Sequence, residues 1–267
     1  MPARDERNRE KLAIVTGGAS GIGRATAHVL AEAGWGAVAV LDRNGEGAAR
    51  VAAELAAAGA KGIPVQADLA DLVRCGRLVG EIVAAHGRVD AVVNNAAIAR
   101  PAIAVTDYDV AKFTQDLDVN LTAGFILARD AARHMIAERR KGSIVFIASI
   151  NAQGAGVGSV GYCASKAGVV ALMKVMAAEL GEHGIRVNSV SPGPSDTPRS
   201  VARVGEKVME RLRDRFDGAA LRRLGDPREI AEAVNYLCSD AASYVSGHDL
   251  VVDGGLMASV YVAARPE

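Results

Sequence analysis

Three features of the sequence predict an α/β fold built on a doubly wound, parallel sheet of seven strands. Short β-rich apolar runs alternate with longer Ala-rich stretches, the pattern of repeated βαβ units. The runs are apolar almost throughout, as strands covered by helices on both faces are. The chain has 267 residues, 50% of them hydrophobic, enough for one sizeable core, and no linker, repeat or low-complexity segment divides it. The expectation is a charged N-terminal tail over residues 1–10 and a single domain over 11–267.

In chain order, strands are expected at 12–16, 37–41, 63–67, 91–95, 143–148, 186–191 and 249–252. Helices are expected between them, among them 22–33, 47–58, 69–85 and 161–180. One region breaks this rhythm. From Pro192 to Gly225 the chain is dense in Pro, Ser and Arg, and 201–216 is charged and weakly amphipathic. An excursion beyond the C-terminal end of a strand is where α/β proteins carry substrate loops, so residues from about 194 to 225 are read as one.

The first expected strand runs directly into Gly17-Gly18-Ala19-Ser20-Gly21-Ile22-Gly23. Glycines permit a tight strand-to-helix turn and let backbone approach a pyrophosphate, while the following helix aims its N–H groups and dipole at that anion. A glycine cluster alone is weak; this one sits between the first strand and the first helix, the context that a dinucleotide-binding, Rossmann-type fold requires. The second strand ends in Asp42, about 20 residues past the glycines, where a carboxylate accepts hydrogen bonds from the adenosine ribose hydroxyls and repels a 2′-phosphate. Arg43 beside it is a group that could hold such a phosphate. This reading puts NAD ahead of NADP.

Tyr162 and Lys166 lie four apart at the start of an expected helix and therefore share a face. A phenol, with an ordinary pKa of about 10, is a poor base near neutrality. A neighbouring ammonium stabilises the phenolate and makes the tyrosine a usable proton shuttle. Ser149 follows a buried strand thirteen residues upstream, where its hydroxyl could hydrogen-bond a substrate oxygen. Each feature alone is ordinary helix or turn chemistry; their joint occurrence beyond the fifth strand is not.

With these residues in place the sequence resembles the classical short-chain dehydrogenase/reductase superfamily, from about Lys11 to Gly255. Thr16 to Gly23 matches the family's TGxxxGxG turn, and Asp68-Leu69 matches its adenine-contacting Asp. Asn94-Asn95-Ala96-Ala97 matches NNAG with Ala97 in place of the glycine. Asn120 falls at the fourth catalytic position, Ser149, Tyr162 and Lys166 fit Ser and YxxxK, and Pro192-Gly193 with Thr197 matches the segment that grips the carboxamide. The resemblance implies an oxidoreductase that interconverts a secondary alcohol and a ketone. Ser149 would polarise the substrate oxygen, Tyr162 would transfer the proton, and Lys166 would hold the nicotinamide ribose and depress the Tyr162 pKa. Asn120 would hold a water linking Lys166 to solvent. The cofactor would lie on Gly17, Ser20, Gly21, Ile22, Gly23, Asp42, Arg43, Asp68, Leu69, Asn95, Ala96, Ala97, Tyr162, Lys166, Pro192, Gly193 and Thr197. The Ala97 replacement matters only if that position needs a backbone angle that alanine avoids.

The expected substrate is a small hydroxylated or cyclic alcohol or ketone such as a sugar or polyol; polar Asn151 and Gln153 just after Ser149 agree with that. The alternative enzyme reading is a 3-oxoacyl-[acyl-carrier-protein] reductase using NADPH. Arg199, Arg203, Lys207, Arg211, Arg213 and Arg215 could face an acidic carrier, although Glu206, Glu210, Asp214 and Asp217 interleave with them. The non-enzyme alternative, an NAD(H)-binding sensor or scaffold, fits poorly with the complete set of Asn120, Ser149, Tyr162 and Lys166. A net charge of zero and 4% aromatic residues speak against a nucleic-acid or membrane partner. Five scattered histidines and three distant cysteines offer no metal-ligand spacing, and Cys163 is read as a core residue. The N-terminal ten residues lack the apolar core of a signal peptide, and no later stretch is read as reaching the roughly 18 apolar residues of a membrane span, since Lys174 interrupts the run at 169–180. A cytoplasmic protein is expected. The resemblance adds a homotetramer, with the helices after Asp109 and Gly161 packed against partners.

Overall fold

In the computed structural model, which describes residues 8–258, all seven expected strands form and run parallel. They are β1 (Leu12–Thr16), β2 (Ala37–Asp42), β3 (Lys61–Gln66), β4 (Ala91–Asn94), β5 (Gly142–Ile147), β6 (Ile185–Pro192) and β7 (Asp249–Val252), in the spatial order β3-β2-β1-β4-β5-β6-β7. The helices are α1 (Gly21–Glu32), α2 (Gly45–Leu55), α3 (Leu72–His86), α4 (Val110–Leu117), α5 (Ala123–Ala137), α6 (Val160–Leu180), α7 (Pro198–Val204), α8 (Glu206–Asp214) and α9 (Pro227–Cys238). The chain winds outward in one direction through β1, β2 and β3, and in the other through β4 to β7. Most of the expected charged tail lies outside the described residues, as does 259–267. Asn8, at its end, is buried, and its carbonyl accepts from the Lys11 and Gly36 amides.

Strand residues alternate between the two layers. Leu12 and Ile14 join a cluster under α3, α5 and α6, while Ala13 and Val15 join one under α1, α2 and α9. Both faces are therefore dry, which explains the unbroken apolarity of the strand sequences. Trp35 and Phe146 are the largest apolar side chains so enclosed. Full burial of each large apolar side chain contributes about 1.5–3 kcal/mol.

Helix starts follow their caps. The third helix begins at Leu72, not at 69, because the Asp71 carboxylate accepts from the Arg74 amide and Asp68 turns the chain just before it, accepting from Ala70. The second begins two residues early, at Gly45, behind an Asn44 cap that accepts from Gly47.

Among the described residues one helix, Val160–His183, is by length and composition apolar enough to cross a membrane, so the expectation that no stretch reaches that length is corrected. Small apolar residues on either side of Lys166 and Lys174 keep its mean hydropathy at 1.3. In this fold α6 buries Val169, Met173, Met176 and Ala177 in the core. The expected substrate loop is two short helices, α7 and α8, joined at Gly205, whose φ of +85° breaks the helix between them. Its base is closed where Ser195 bridges to Gly225, and Met209 is its buried anchor.

At the N-terminal edge of the sheet Asp90 ties three strands together. Its carboxylate accepts from the Leu12 amide at 2.8 Å and from Arg88 twice at 2.7 Å, and its carbonyl accepts from Ser143. Asp90→Ala would strand a buried N–H and a half-buried guanidinium, so a loss of about 2–4 kcal/mol is expected in urea unfolding. Ligand binding at the opposite edge should be unchanged; a loss below about 1 kcal/mol would contradict the tether.

Candidate active site

The C-terminal ends of the strands open into a cleft of about 770 Å³ between the arms of the sheet and the α7–α8 lid. Its floor is built at the junction of β1 and β4, where the winding reverses. There the Thr16 hydroxyl accepts from the Asn95 and Ala96 amides at 2.9 Å each. The Asn95 side-chain amide in turn donates to the Thr16 carbonyl at 2.8 Å and the Gly17 carbonyl at 3.3 Å. Asn95 thus holds the glycine turn in place with its side chain and faces the cleft with its backbone.

The turn needs its glycines for different reasons. Gly17 has φ +64° and Gly21 φ +53°, the left-handed region that side chains disfavour. Gly23 is a packing residue: a Cβ there would sit 2.1 Å from the Gly17 carbonyl oxygen, and it does not line the cleft. Ser20 occupies the N-cap of α1 without making a side-chain cap bond, so the first-turn N–H groups are left for an anion in the cleft. Alanine at position 97 carries no strain, since Arg139 and Arg222 are the non-glycine residues with positive φ among those described.

At one end of the cleft lie Asp42, Arg43, Asp68 and Leu69. The Asp42 carboxylate is fixed by the Ala19 amide at 3.1 Å and the Asn44 amide at 2.9 Å, one on each oxygen, which leaves lone pairs for further donors. Arg43 is exposed at the rim. At the other end Ser149, Tyr162 and Lys166 meet, with Pro192, Gly193 and Thr197 beside them. The Ser149 oxygen accepts from the Asn151 amide at 3.1 Å, which leaves its own proton free to donate. Lys166 is 2% exposed, donates to the Ile147 carbonyl at 2.6 Å, and lies 5.7 Å from the centre of the Tyr162 ring. Burial, and then the nearby positive charge of Arg199, pull its pKa from 10.5 down to about 7.

Asn120 is not in the cleft. It sits on a π-helical turn, Asp118–Thr122, between α4 and α5. Its oxygen accepts from the Ile98 amide at 2.7 Å, and its nitrogen donates to the Ile98 carbonyl at 3.0 Å and to the Ser165 hydroxyl at 3.1 Å. Ser165 donates to the Tyr162 carbonyl at 2.7 Å. Both amide protons are therefore used in bracing the 96–98 segment and the start of α6, and the water-holding role implied by the resemblance does not belong to those protons. Gln153 also departs from expectation: it donates to Asp249 at 2.8 Å and does not line the cleft, whereas Asn151 does. Cys163 is half-buried, not core, and its sulfur accepts from the Gly156 amide.

The sequence reading missed the inner wall of the lid, where Met209, Leu212, Phe216, Arg199 and Arg203 line the cleft. The available signal was the spacing of the two arginines, four apart on one face of α7.

Residues 17–257 match the family described as enoyl-(acyl carrier protein) reductase. The chain is 40% identical over 249 residues to cis-4-hydroxycyclohexanecarboxylate dehydrogenase of Sinomonas cyclohexanicum, covering 93% of this chain and 97% of that one. It is 40% identical over 258 residues to (+)-borneol dehydrogenase 1 of Salvia officinalis, covering 94% and 95%. The crystal structure of a short-chain type dehydrogenase/reductase from Mycobacterium marinum superposes with a TM-score of 0.85 at 35% identity, over 93% and 96% of the two chains. The chain belongs to the classical short-chain dehydrogenase/reductase superfamily. As a member of that superfamily it is an NAD(P)-dependent oxidoreductase acting on CH–OH groups.

Lys166 makes the fold sensitive to pH in a stated direction. Between pH 7 and 10.5 the unfolded chain holds the lysine proton that the cofactor-free fold has released, so this group adds stability as pH rises through that window. Urea unfolding of cofactor-free wild type and Lys166→Met at about pH 7, 8.5 and 10 should show the wild type gaining on the variant. A constant difference would mean that the buried amine keeps its proton throughout.

Proposed function

We propose that this chain interconverts a secondary alcohol and a ketone on a small hydroxylated or cyclic substrate, with NAD as the favoured cofactor and Tyr162 as the proton-transferring group. The observation that carries this reading is the convergence of Ser149, Tyr162 and Lys166 at one end of a cleft whose other end presents Asp42 and an uncapped helix N-terminus.

The residues present fit a dinucleotide. The free amides of α1 suit its pyrophosphate, with Gly17, Ser20, Gly21 and Ile22 forming the cradle. The lone pairs left on Asp42 suit the adenosine ribose hydroxyls and would repel a 2′-phosphate, which favours NAD; Arg43 at the rim is the group that NADP would use. Asp68 and Leu69 border the adenine position, and Asn95, Ala96, Ala97, Lys166, Pro192, Gly193 and Thr197 border the nicotinamide half. When bound, the nicotinamide supplies the hydride acceptor or donor. In the oxidative direction Ser149 donates a hydrogen bond to the carbinol oxygen and Tyr162 takes its proton. The carbon's hydride and the oxygen's proton thus leave separately, and a carbonyl remains. A positively charged Lys166 beside the phenol lowers the cost of its deprotonation.

A ring-bearing alcohol is supported by the apolar lid wall of Met209, Leu212 and Phe216 lining the same cleft as polar Asn151, and by ring-alcohol dehydrogenases among the relatives. The carrier-protein alternative keeps only Lys207 and Arg211 of its basic surface, because Arg213 pairs with Asp196 and Glu206, Arg215 pairs with Asp217, and Arg199 and Arg203 line the cleft. A cytoplasmic homotetramer belongs to the same proposal. Three free cysteines suit a reducing compartment, and exposed Val110, Phe125 and Val175 on α4, α5 and α6 offer apolar surface to partner subunits.

Tyr162→Phe tests the assignment. Turnover should fall at least about 100-fold while NAD affinity by calorimetry stays within about twofold. Residual activity above a few per cent of wild type would remove Tyr162 from the role.

A further inference from the structure

The carboxylates lining the cleft are confined to one end. Asp42 and Asp68 both lie at the adenosine end, beyond the tips of β2 and β3. The half formed by Ser149, Tyr162 and the lid holds Lys166, Arg199 and Arg203 and no acid. Elsewhere in this segment Arg213 is held by Asp196 and Glu206, Arg215 by Asp217, and Arg223 by Glu229, while Lys207, Arg211 and Arg222 do not line the cleft. Among the described residues no carboxylate pairs with Arg199 or Arg203.

Both side chains are placed toward the reacting end. They lie four apart on α7, on one face of the helix. An Arg203 nitrogen donates to the Ser159 hydroxyl at 3.2 Å, and Ser159 is one helical turn before Tyr162 at the start of α6. Arg199 is near enough to Lys166 to disfavour its charge. Arg199 and Arg203 are exposed at the cleft wall and bring two like charges to one helix face, which an entering anion would offset. The pyrophosphate cradle on the free amides of α1 is close by, since a Cβ on Gly21 would lie 3.6 Å from Thr197 just before α7, so NADH affinity has to be read separately from carboxylate preference.

We propose, resting on the dehydrogenase reading above, that the substrate is a hydroxy acid or keto acid whose carboxylate is held by Arg199 and Arg203 while its carbinol or carbonyl carbon lies at Tyr162. Planar guanidinium forks match a carboxylate geometrically and are the side chains best suited to hold one. Met209, Leu212 and Phe216 then cover the hydrocarbon body between the two polar ends.

Calorimetric titration of the NADH-loaded protein with cyclohexanecarboxylate and with cyclohexanecarboxamide tests this, since the pair share a shape and differ in charge. The acid should bind at least about tenfold more tightly than the amide. Arg203→Gln and Arg199→Gln should each remove most of that preference, leave amide binding and NADH affinity within about twofold, and melt as the wild type does. Arg203→Lys should keep part of the preference, as a charge without the fork. Equal affinity for acid and amide in the wild type would overturn the proposal, and so would an Arg199→Gln defect confined to NADH affinity. Neither titration needs hydride transfer, so failure here leaves the dehydrogenase reading standing, and failure of that reading appears instead in the Tyr162→Phe turnover measurement.

Discussion

The clasp between Thr16 and Asn95 is the interaction on which the rest of the site depends. Parallel strands put all their C-terminal ends on one edge, and the reversal of winding between β1 and β4 leaves a crevice there. The clasp fixes its two lips with the hydrogen bonds from Asn95 and Ala96 to Thr16 and Gly17. From Ala96 the chain continues to Ile98, which Asn120 grips by both amide and carbonyl. Asn120 bonds Ser165, and Ser165 bonds the Tyr162 carbonyl. One continuous run of covalent and hydrogen bonds therefore connects the glycine turn to the backbone of Tyr162. The two ends of the cleft are set relative to each other by buried polar groups whose partners are fixed, and not by loop packing alone.

The same architecture accepts a local cost at Lys166. A fully enclosed amine with one carbonyl partner and an arginine nearby is destabilised in its charged form. A core in which β1, β2, β4 and β5 are buried on both faces supplies the margin for that cost. Strained or electrostatically unsatisfied groups of this kind collect where ligands complete them. An anionic dinucleotide at one end of the cleft and, on the proposal made above, a carboxylate at the other would each lower the cost of the positive charge between them.

What could be read from the sequence follows the physics of each signal. The strands were legible because burial on both faces leaves nothing but apolar residues in them, as Leu12–Thr16 illustrates. Ser149, Tyr162 and Lys166 were legible because their spacing and neighbours are constrained by chemistry, and all three line one cleft. The helix at Leu72 started later than periodicity indicated because a cap, Asp71, outweighed it. The lid helices were read only as a charged stretch, since Met209 is their one buried apolar residue and a single anchor leaves no period to detect. The destinations of Asn120, Gln153 and Cys163 depend on residues 22, 96 and seven positions away, which no local pattern encodes. The sorting of the lid arginines into paired and cleft-lining sets is likewise a tertiary fact.

The most direct test of the account is NADH formation at about 340 nm over matched ring alcohols, polyols and hydroxy acids, each offered with NAD and with NADP. The account predicts NAD-linked oxidation of a cyclic or hydroxylated secondary alcohol, faster than with NADP because Asp42 occupies the ribose position. Oxidation that ran only with NADP would contradict the role of Asp42. Absence of dinucleotide binding in a parallel calorimetric titration would contradict the account as a whole.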